Sequence, residues 1–458
     1  MKAEDLEIIL AGVQKPARYI GGEVGSVTKE LKPDMLRYAF CFPDVYEVGM
    51  SHLGMKILYY HANRRDDVWC ERVFSPEDDM AKAMVENNIL LYSLESLSPI
   101  RDFDLIGFTL QYEMSYTGIL NMLSLAGIPL LSRERESTFP IIVAGGPCSA
   151  NPEPLCDFVD IFSLGEGEEV TDELFDALKI IKRENMSKKE ALIFLSKIEG
   201  IYVPSLYDVS YNEDGTIQKY VPLEGAPSVI KKRVIKDLDK VFFPDKFPVP
   251  FIDIIHDRAV VEVFRGCPRG CRFCQAGFIY RPIREKSPET IERDAKNLIS
   301  FTGYDELGMC SLSTSDYTGL EPLLDSLLDW TDARHTSVSL PSRRVDKFST
   351  QLMEKINRIR KAGLTFAPEA GTQRLRDVIN KNITEDDVMN TCLIAFKGGY
   401  TAVKLYFMMG LPTETDEDIA GIVDLAQKIV NLFYDMPDKP RGKGVSVNIS
   451  VACFVPKP

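Results

Sequence analysis

Within the ten residues Arg265-Gly266-Cys267-Pro268-Arg269-Gly270-Cys271-Arg272-Phe273-Cys274, three thiols are separated by three and then two residues. No other stretch restricts so tightly what the chain around it has to build. Cysteines so spaced can wrap a compact loop around one inorganic cluster, and thiolate is the ligand type that iron–sulfur clusters require. Three ligands suit a four-iron cluster with one corner left open. Gly266, Pro268 and Gly270 permit the tight loop, Arg265, Arg269 and Arg272 are expected to offset the charge of three thiolates, and Phe273 can shield a cluster from water. The competing reading of the same thiols is a zinc site completed by a fourth ligand elsewhere, although zinc usually takes paired ligands.

The rest of the composition narrows the setting. In 458 residues, 54 Lys and Arg stand against 68 Asp and Glu, a net charge of −14, so nonspecific attraction to nucleic acid or anionic membrane does not organise the chain. Most of the ten Cys are scattered singly in apolar segments, which reads as reduced thiols of a cytoplasmic protein rather than a secreted framework. Acids at Glu4, Asp5 and Glu7 occupy the place of a signal-peptide core, and no apolar run is long enough to span a bilayer.

From residue 36 to about 182, strand and helix patterns alternate, which predicts a doubly wound α/β domain with a parallel sheet. Strands are expected at 36–42, 89–93, 105–110, 141–144 and 161–164, with helices beginning near Ser51, Pro76, Ser115 and Glu168. Ligands of such sheets bind outside the carboxyl ends of the strands, so the loops 43–54 and 145–154 carry most weight. Gly145 and Gly146 would let backbone approach a large planar ligand. A helix over 187–197, a hairpin over 207–220 turning at 212–215, and a proline-rich connector over 222–251 come next; its run Lys231-Lys232-Arg233 reads as solvated surface.

A strand at 259–264 delivers the cysteine loop. Ser287-Pro288-Glu289 then starts a helix whose buried stripe is Ile291, Ala295, Leu298 and Ile299. Further elements are expected at 308–313, 320–330, 337–340, 349–360, 364–367, 384–396, 403–409, 416–432 and 445–454. Six strands in this repeat favour a barrel or partial barrel whose active site lies at the strands' carboxyl ends, where Thr314-Ser315-Asp316, the loop 368–372 and the loop 409–415 would converge with the cysteines. The segments divide as 1–34, 35–185, 186–255 and 256–458.

The cysteine loop resembles that of the radical S-adenosylmethionine (SAM) superfamily, whose hallmark is C-x-x-x-C-x-x-C with an aromatic before the last Cys. That resemblance implies a (β/α)6 partial barrel, a 4Fe-4S cluster on Cys267, Cys271 and Cys274, and SAM at the open iron. It further implies SAM contacts from Phe273, Glu369 (in the place of a ribose-binding acid) and Gly410 and Pro412 in a G-L-P-x-E-T segment. Ser313 and Ser315 stand where the family has G-G-E. The loop 145–154, with Asp157-Phe158-Val159-Asp160 and Gly165-Glu166-Gly167-Glu168 after it, resembles the cobalamin-binding domain that precedes the barrel in one branch, over roughly residues 35–185. There Asp44 matches D-x-H-x-x-G, but Tyr46 replaces its His, which removes a histidine ligand without excluding cobalamin. The implied activity is radical modification of an unactivated carbon, by methyl transfer if cobalamin is bound. Sulfur insertion or rearrangement on RNA or protein is the enzyme alternative; a noncatalytic iron–sulfur or ligand-sensing protein is the other. A flavodoxin or ferredoxin would supply electrons, no membrane is involved, and the stop soon after the sixth strand suggests a missing C-terminal partner domain.

Overall fold

The computed structural model describes residues 3–339, 364–439, 442 and 444–457. The helix expected over 349–360 and the last residue of the strand expected at 337–340 lie outside the described residues. Two compact units divide the chain, Met1–Lys236 with Lys240–Asp257 and Asp237–Asp239 with Arg258–Pro458.

The first unit is built on a sheet of β1 (Leu36–Phe42), β2 (Val68–Phe74), β3 (Leu105–Thr109), β4 (Ile141–Gly145), β5 (Ile161–Ser163) and β6 (Ile201–Tyr202), in the order β2-β1-β3-β4-β5-β6. All pairings are parallel except the last. These strands are apolar on both faces because helices cover both. Ala39, Cys41, Ile106, Phe108, Ile142 and Ala144 join one buried cluster. On the other face Tyr38 stacks on Phe40 at 5.5 Å and meets Phe175 of the helix Gly167–Glu184 edge-on at 5.6 Å. The helices Leu53–Asn63, Asp78–Glu86 and Tyr116–Leu125 fall where the sequence predicts them.

One strand does not. The segment 89–93 is extended but outside the ladder, with a single bridge from Tyr92 to Pro99, and the place beside β1 belongs to β2. The sequence of β2, Val-Trp-Cys-Glu-Arg-Val-Phe, carries two charges in its centre, yet all seven residues are buried. Glu71 pairs with Arg37 at 2.7 Å; Arg72 pairs with Glu23 at 2.7 Å and Glu95 at 2.6 Å. Ser93 and Ser96 also donate to Glu71. The expected strand therefore serves as a polar edge that satisfies the charges of the real one.

The helix Lys188–Leu195 is capped reciprocally by Ser187 and Glu190, and the hairpin is β7 (Tyr207–Tyr211) and β8 (Ile217–Pro222). The basic run in the connector is not simply solvated. Arg233 bridges Gly165 through its backbone and pairs with Glu173 at 2.6 Å and Glu169 at 3.1 Å.

In the second unit β9 (Ala259–Glu262) leads into a short antiparallel ladder of β10 (Phe264–Arg265) and β11 (Arg284–Glu285), which closes the cysteine segment at its base. Next come β12 (Glu306–Cys310), β13 (Ser337–Ser339), β14 (Leu364–Glu369), β15 (Ala402–Met409) and β16 (Ser446–Cys453). The described pairings form two parallel ladders, β13-β12-β9 and β14-β15-β16, with helices Pro288–Thr302, Leu320–Thr331, Glu385–Lys397 and Asp416–Asp435 between strands. Ile291, Ala295, Leu298 and Ile299 are all buried, as the helical period predicts. The strand expected to run to Ser313 ends at Cys310, and residues 314–316 form a tight turn instead.

Gly146, where the chain leaves β4, has φ +115°, and a Cβ there would lie 2.8 Å from the carbonyl oxygen of Leu110. At Gly145 the nearest atom would be 3.5 Å away, an ordinary contact. Gly146→Ala should therefore cost about 1–3 kcal/mol from backbone conformation alone, and Gly145→Ala less than about 1 kcal/mol. Denaturation followed through Trp69 in a Trp330→Phe background measures both.

Candidate functional site

Two groups of loops carry the residues that the sequence singles out, one in each unit. In the second unit the cysteine loop is fastened on several sides. Arg269 Nε donates to Asp316 at 2.9 Å, and Ser313 Oγ donates to the same carboxylate at 2.7 Å, joining the loop to the turn after β12. Asn380 Nδ2 donates to the Gly270 carbonyl at 2.8 Å, and the Arg272 N–H donates to the Ile379 carbonyl at 2.9 Å, joining it to the segment after β14. A bond from the Cys274 N–H to the Cys271 carbonyl, 3.1 Å, tightens the loop itself. Cys271 is buried, while Cys267 and Cys274 are partly exposed.

Glu369 ends β14 with φ +71°, a left-handed conformation that a non-glycine residue adopts only under constraint. The constraint is visible. Arg376, fully buried, donates from Nη1 to the carbonyls of Ala370 at 2.9 Å and Gly371 at 3.1 Å. A Cβ on Gly371 would meet Ile422 N of the helix Asp416–Asp435 at 2.3 Å, so that helix closes on the loop from outside. The Glu369 carboxylate is paired with Lys381 Nζ at 2.9 Å, and the same Nζ lies 5.7 Å from the centre of the Phe273 ring. Phe273 packs against a small core of Ala370, Leu375, Ile379 and Leu411. Gly410, at φ +84°, donates its N–H to Glu414 at 2.7 Å, which makes Glu414 a local cap of its own loop. Pro412 is exposed, Ser313 buried, and Ser315 half-buried in the turn after Ser313.

The arginines of the loop also tie it to its surroundings. Arg265 pairs with Glu262 at 2.8 Å, Arg269 with Asp316, and Arg272 donates to the Val378 carbonyl. They anchor the loop, and the cation nearest Phe273 is Lys381. Asp316, expected to converge with the cysteines, does so through Arg269; Asn380, Arg376 and Lys381 are given no role by the sequence, because each acts through a contact made only in the folded state.

The donor set fits a cluster held by thiolates. Cys267, Cys271 and Cys274 offer three thiolates from one loop, and an iron–sulfur cluster takes its thiolates on separate irons. Among the scattered thiols, burial pushes Cys156 and Cys392 up to about 12, and Cys41 and Cys70 well above the ordinary range.

In the first unit the chain passes from β1 to β2 on one side and then crosses to β3 on the other, a switch point of the kind where such sheets bind ligands. Asp44, from the loop after β1, accepts a hydrogen bond from Tyr112 of the loop after β3. Tyr46 does not face a ligand there: it is buried, edge-on to Phe74, and its hydroxyl donates to Glu23 at 2.7 Å. Gly145 and Gly146 follow β4, and the need for glycine at Gly146 comes from Leu110. His52 caps the helix Leu53–Asn63, its Nδ1 accepting from the Met55 N–H at 3.1 Å.

Residues 54–204 match the N-terminal domain of radical SAM proteins, and residues 261–426 match the radical SAM superfamily. An uncharacterized protein of Methanocaldococcus jannaschii is 30% identical over 423 residues, 92% of this chain and 77% of that one. The chain belongs to the radical SAM superfamily. As a radical SAM enzyme it draws on a 4Fe-4S cluster and SAM. The threonylcarbamoyladenosine tRNA methylthiotransferase MtaB of Bacillus subtilis is 24% identical over 209 residues, 43% of each chain. Two solved structures share this enzyme's fold. The radical SAM methyltransferase TsrM of Kitasatospora setae, with cobalamin and a 4Fe-4S cluster bound, has TM-score 0.59 at 12% identity over 91% of this chain and 75% of its own. The cobalamin-dependent enzyme OxsB, with aqua-cobalamin bound, has TM-score 0.56 at 15% identity over 86% of this chain and 52% of its own.

Burial holds the His52 imidazole down to about 4, partly offset by a hydrogen bond that the protonated ring gives to Gln111. An unfolded histidine titrates near pH ~6.5, so the neutral ring contributes its stability in full above that pH and loses it as pH falls toward about 4. His52→Asn keeps a capping oxygen without the titration. The stability gap between the native enzyme and this variant should shrink from pH 7 to pH 4.5 in denaturant titrations, and parallel pH profiles would rule the assignment out.

Proposed function

We propose that this radical SAM enzyme holds its cluster on Cys267, Cys271 and Cys274 and methylates an unactivated carbon with the help of a corrinoid bound by the first unit. The observation that carries the barrel half is the convergence on the cysteine loop of the loops after β12, β14 and β15, each bringing groups suited to a different part of SAM. When bound, the cluster supplies the electron that splits SAM, and the corrinoid supplies a carrier for a methyl group.

The chain's own residues orient and enclose. Glu369, fixed by Arg376, can accept from both ribose hydroxyls, since one carboxylate offers two acceptor oxygens at the required spacing. Lys381 holds that carboxylate beside Phe273, which with Leu411 keeps water from the thiolates. Ser313 and Ser315 offer hydroxyls for the methionyl amine, and Gly410 and Pro412 border the same mouth. In the first unit, Asp44 and the loop 145–151 flank the switch-point crevice. With Tyr46 buried, a bound corrinoid would take no ligand from the position that a histidine occupies elsewhere. The kinship in fold to two cobalamin-bound enzymes supports this reading, and so does the crevice. The similarity to MtaB favours a second reading, methylthiolation of RNA or protein.

After anaerobic reconstitution the enzyme should contain about four irons and four sulfides per chain, and Cys267→Ala, Cys271→Ala or Cys274→Ala should each abolish the signal, while Cys70→Ala and Cys392→Ala should not. With strong reductant the loaded protein should release 5′-deoxyadenosine from SAM, and Glu369→Ala should weaken SAM binding without lowering iron content. A full cluster with bound SAM and no cleavage would favour the noncatalytic reading.

Hydroxocobalamin should co-elute with the reconstituted protein on gel filtration, and Tyr46→Phe should leave that retention unchanged, because the ring stays in place and its hydroxyl bonds Glu23 in the interior. Absence of any retained corrinoid would remove cobalamin from the mechanism and leave methylthiolation as the stronger account.

A further inference from the structure

Beyond Glu369 and Phe407, where the ladder of β14 and β15 ends, the segment 370–372 and the loop 409–415 are tied by polar contacts that meet at one side chain. Asp418 stands in the first turn of the helix Asp416–Asp435 and is 2% exposed. From the first segment, Thr372 Oγ1 donates to it. From the second, the Thr415 N–H donates at 2.9 Å and Thr415 Oγ1 at 3.0 Å. Arg374, in the helix Gln373–Val378, pairs with the same carboxylate and donates to the Thr413 carbonyl at 2.9 Å. Burial alone would raise the Asp418 carboxyl, yet the bonds from Thr372, Arg374 and Thr415 hold it down to about 2. An acid in the first turn ordinarily caps its own helix from the surface; this one lies inside and reaches a second loop.

The two loops also hold a residue each in an unfavourable backbone conformation. Glu369 has φ +71° and Thr413 has φ +65°, and neither is glycine. Such conformations persist only where the surrounding contacts over-determine them, and they gather at ligand-binding sites. The helix meets the first segment at close range, since a Cβ on Gly421 would lie 2.8 Å from Thr372 Cγ2. Glu369 lies three residues before Thr372, and Gly410 and Pro412 share a loop with Thr413 and Thr415, so one carboxylate fixes both groups. We infer that Asp418 is a positioning residue for SAM, which through Thr372 and Thr415 holds the Glu369 carboxylate in register with the loop of Gly410 and Pro412. This rests on Glu369 being a ribose contact. Buried as it is, Asp418 reaches no cofactor atom, and no proton or electron passes through it. Its part is to order the two loops in advance, so that SAM binding does not have to supply that order.

The test measures SAM affinity by equilibrium dialysis on the reconstituted full chain, beside its iron and sulfide content. Asp418→Asn should raise the Kd for SAM about tenfold. Iron and sulfide should stay unchanged, because the cysteine loop is tied through Asp316 and Asn380. Thr372→Val, which removes the hydroxyl, should raise the Kd about threefold or more, and Thr372→Ser, which keeps it, should stay within about twofold of the native value. In a Glu369→Ala background the effect of Asp418→Asn should fall to about threefold or less, whereas a residue that served only the stability of its helix would weaken binding by the same factor in both backgrounds. Unchanged affinity in Asp418→Asn, or an equal loss in both backgrounds, would overturn the inference. If Asp418→Asn does not load its cluster, the Thr372 pair decides, and equal affinity in Thr372→Val and Thr372→Ser overturns it as well. Native affinity in Glu369→Ala would remove the ribose reading and this inference together, a result distinct from a loss in Glu369→Ala that Asp418→Asn does not reproduce.

Discussion

A loop bearing three thiolates has no packed interior, so the site depends on how that loop is tied to the strand ends around it. Arg269 to Asp316, Asn380 to Gly270 and Arg272 to Ile379 do this from two neighbouring connections, and β10 with β11 closes the base. Of these only the Arg269–Asp316 pair joins charged groups, contributing about 1.5–3 kcal/mol, while the two neutral bonds contribute about 0.5–1.5 kcal/mol each, together enough to hold a short glycine-containing loop in one shape. The same ties bring Ser313 and the Glu369 segment to the loop. A site assembled from separate connections is in this way held by a few polar contacts rather than by a core of its own.

The strain at Glu369 belongs to that arrangement. A left-handed glutamate and a fully buried arginine are each unfavourable in isolation, by about 1–3 kcal/mol for the backbone and by more for a charge removed from water. Here they occur together, because the Arg376 guanidinium takes the two carbonyls that follow Glu369. The first unit shows a comparable concentration of cost in β2. Arg72 is buried between Glu23 and Glu95, and Tyr46 donates to the same Glu23. Removing one member of such a set leaves a charge without its partner, so the set holds the N-terminal segment and the loop after β1 to the sheet as a unit.

Much of this was legible in the chain's pattern. The apolar runs of β1, β3, β4 and β5 identified the parallel sheet, because strands buried on both faces have few polar residues to hide the signal. The capped, periodic stretch from Ser287 gave the helix Pro288–Thr302, since cap and stripe are local properties. The spacing of Cys267, Cys271 and Cys274 pointed to a thiolate cluster, and the strand-end positions of Glu369 and Gly410 pointed to the mouth of a barrel. All of these are determined by residues near each other in sequence.

What only the tertiary structure decided are the places where distant residues change one another's meaning. Glu71 and Arg72 interrupt the apolar pattern of 68–74, which is not expected as a strand, yet Arg37, Glu23 and Glu95 make β2 a buried strand, and the apolar segment 89–93 lies outside the ladder. Tyr46 read as a substitute at a ligand position, yet Glu23 draws it into the core. Arg265 and Arg269 read as counter-charges to thiolates, and the fold pairs them with Glu262 and Asp316 as well. In each case the sequence determined the chemistry of the side chain, while its use was set by which opposite charge or acceptor the fold brought within about 3 Å of it, the hydrogen-bonding range.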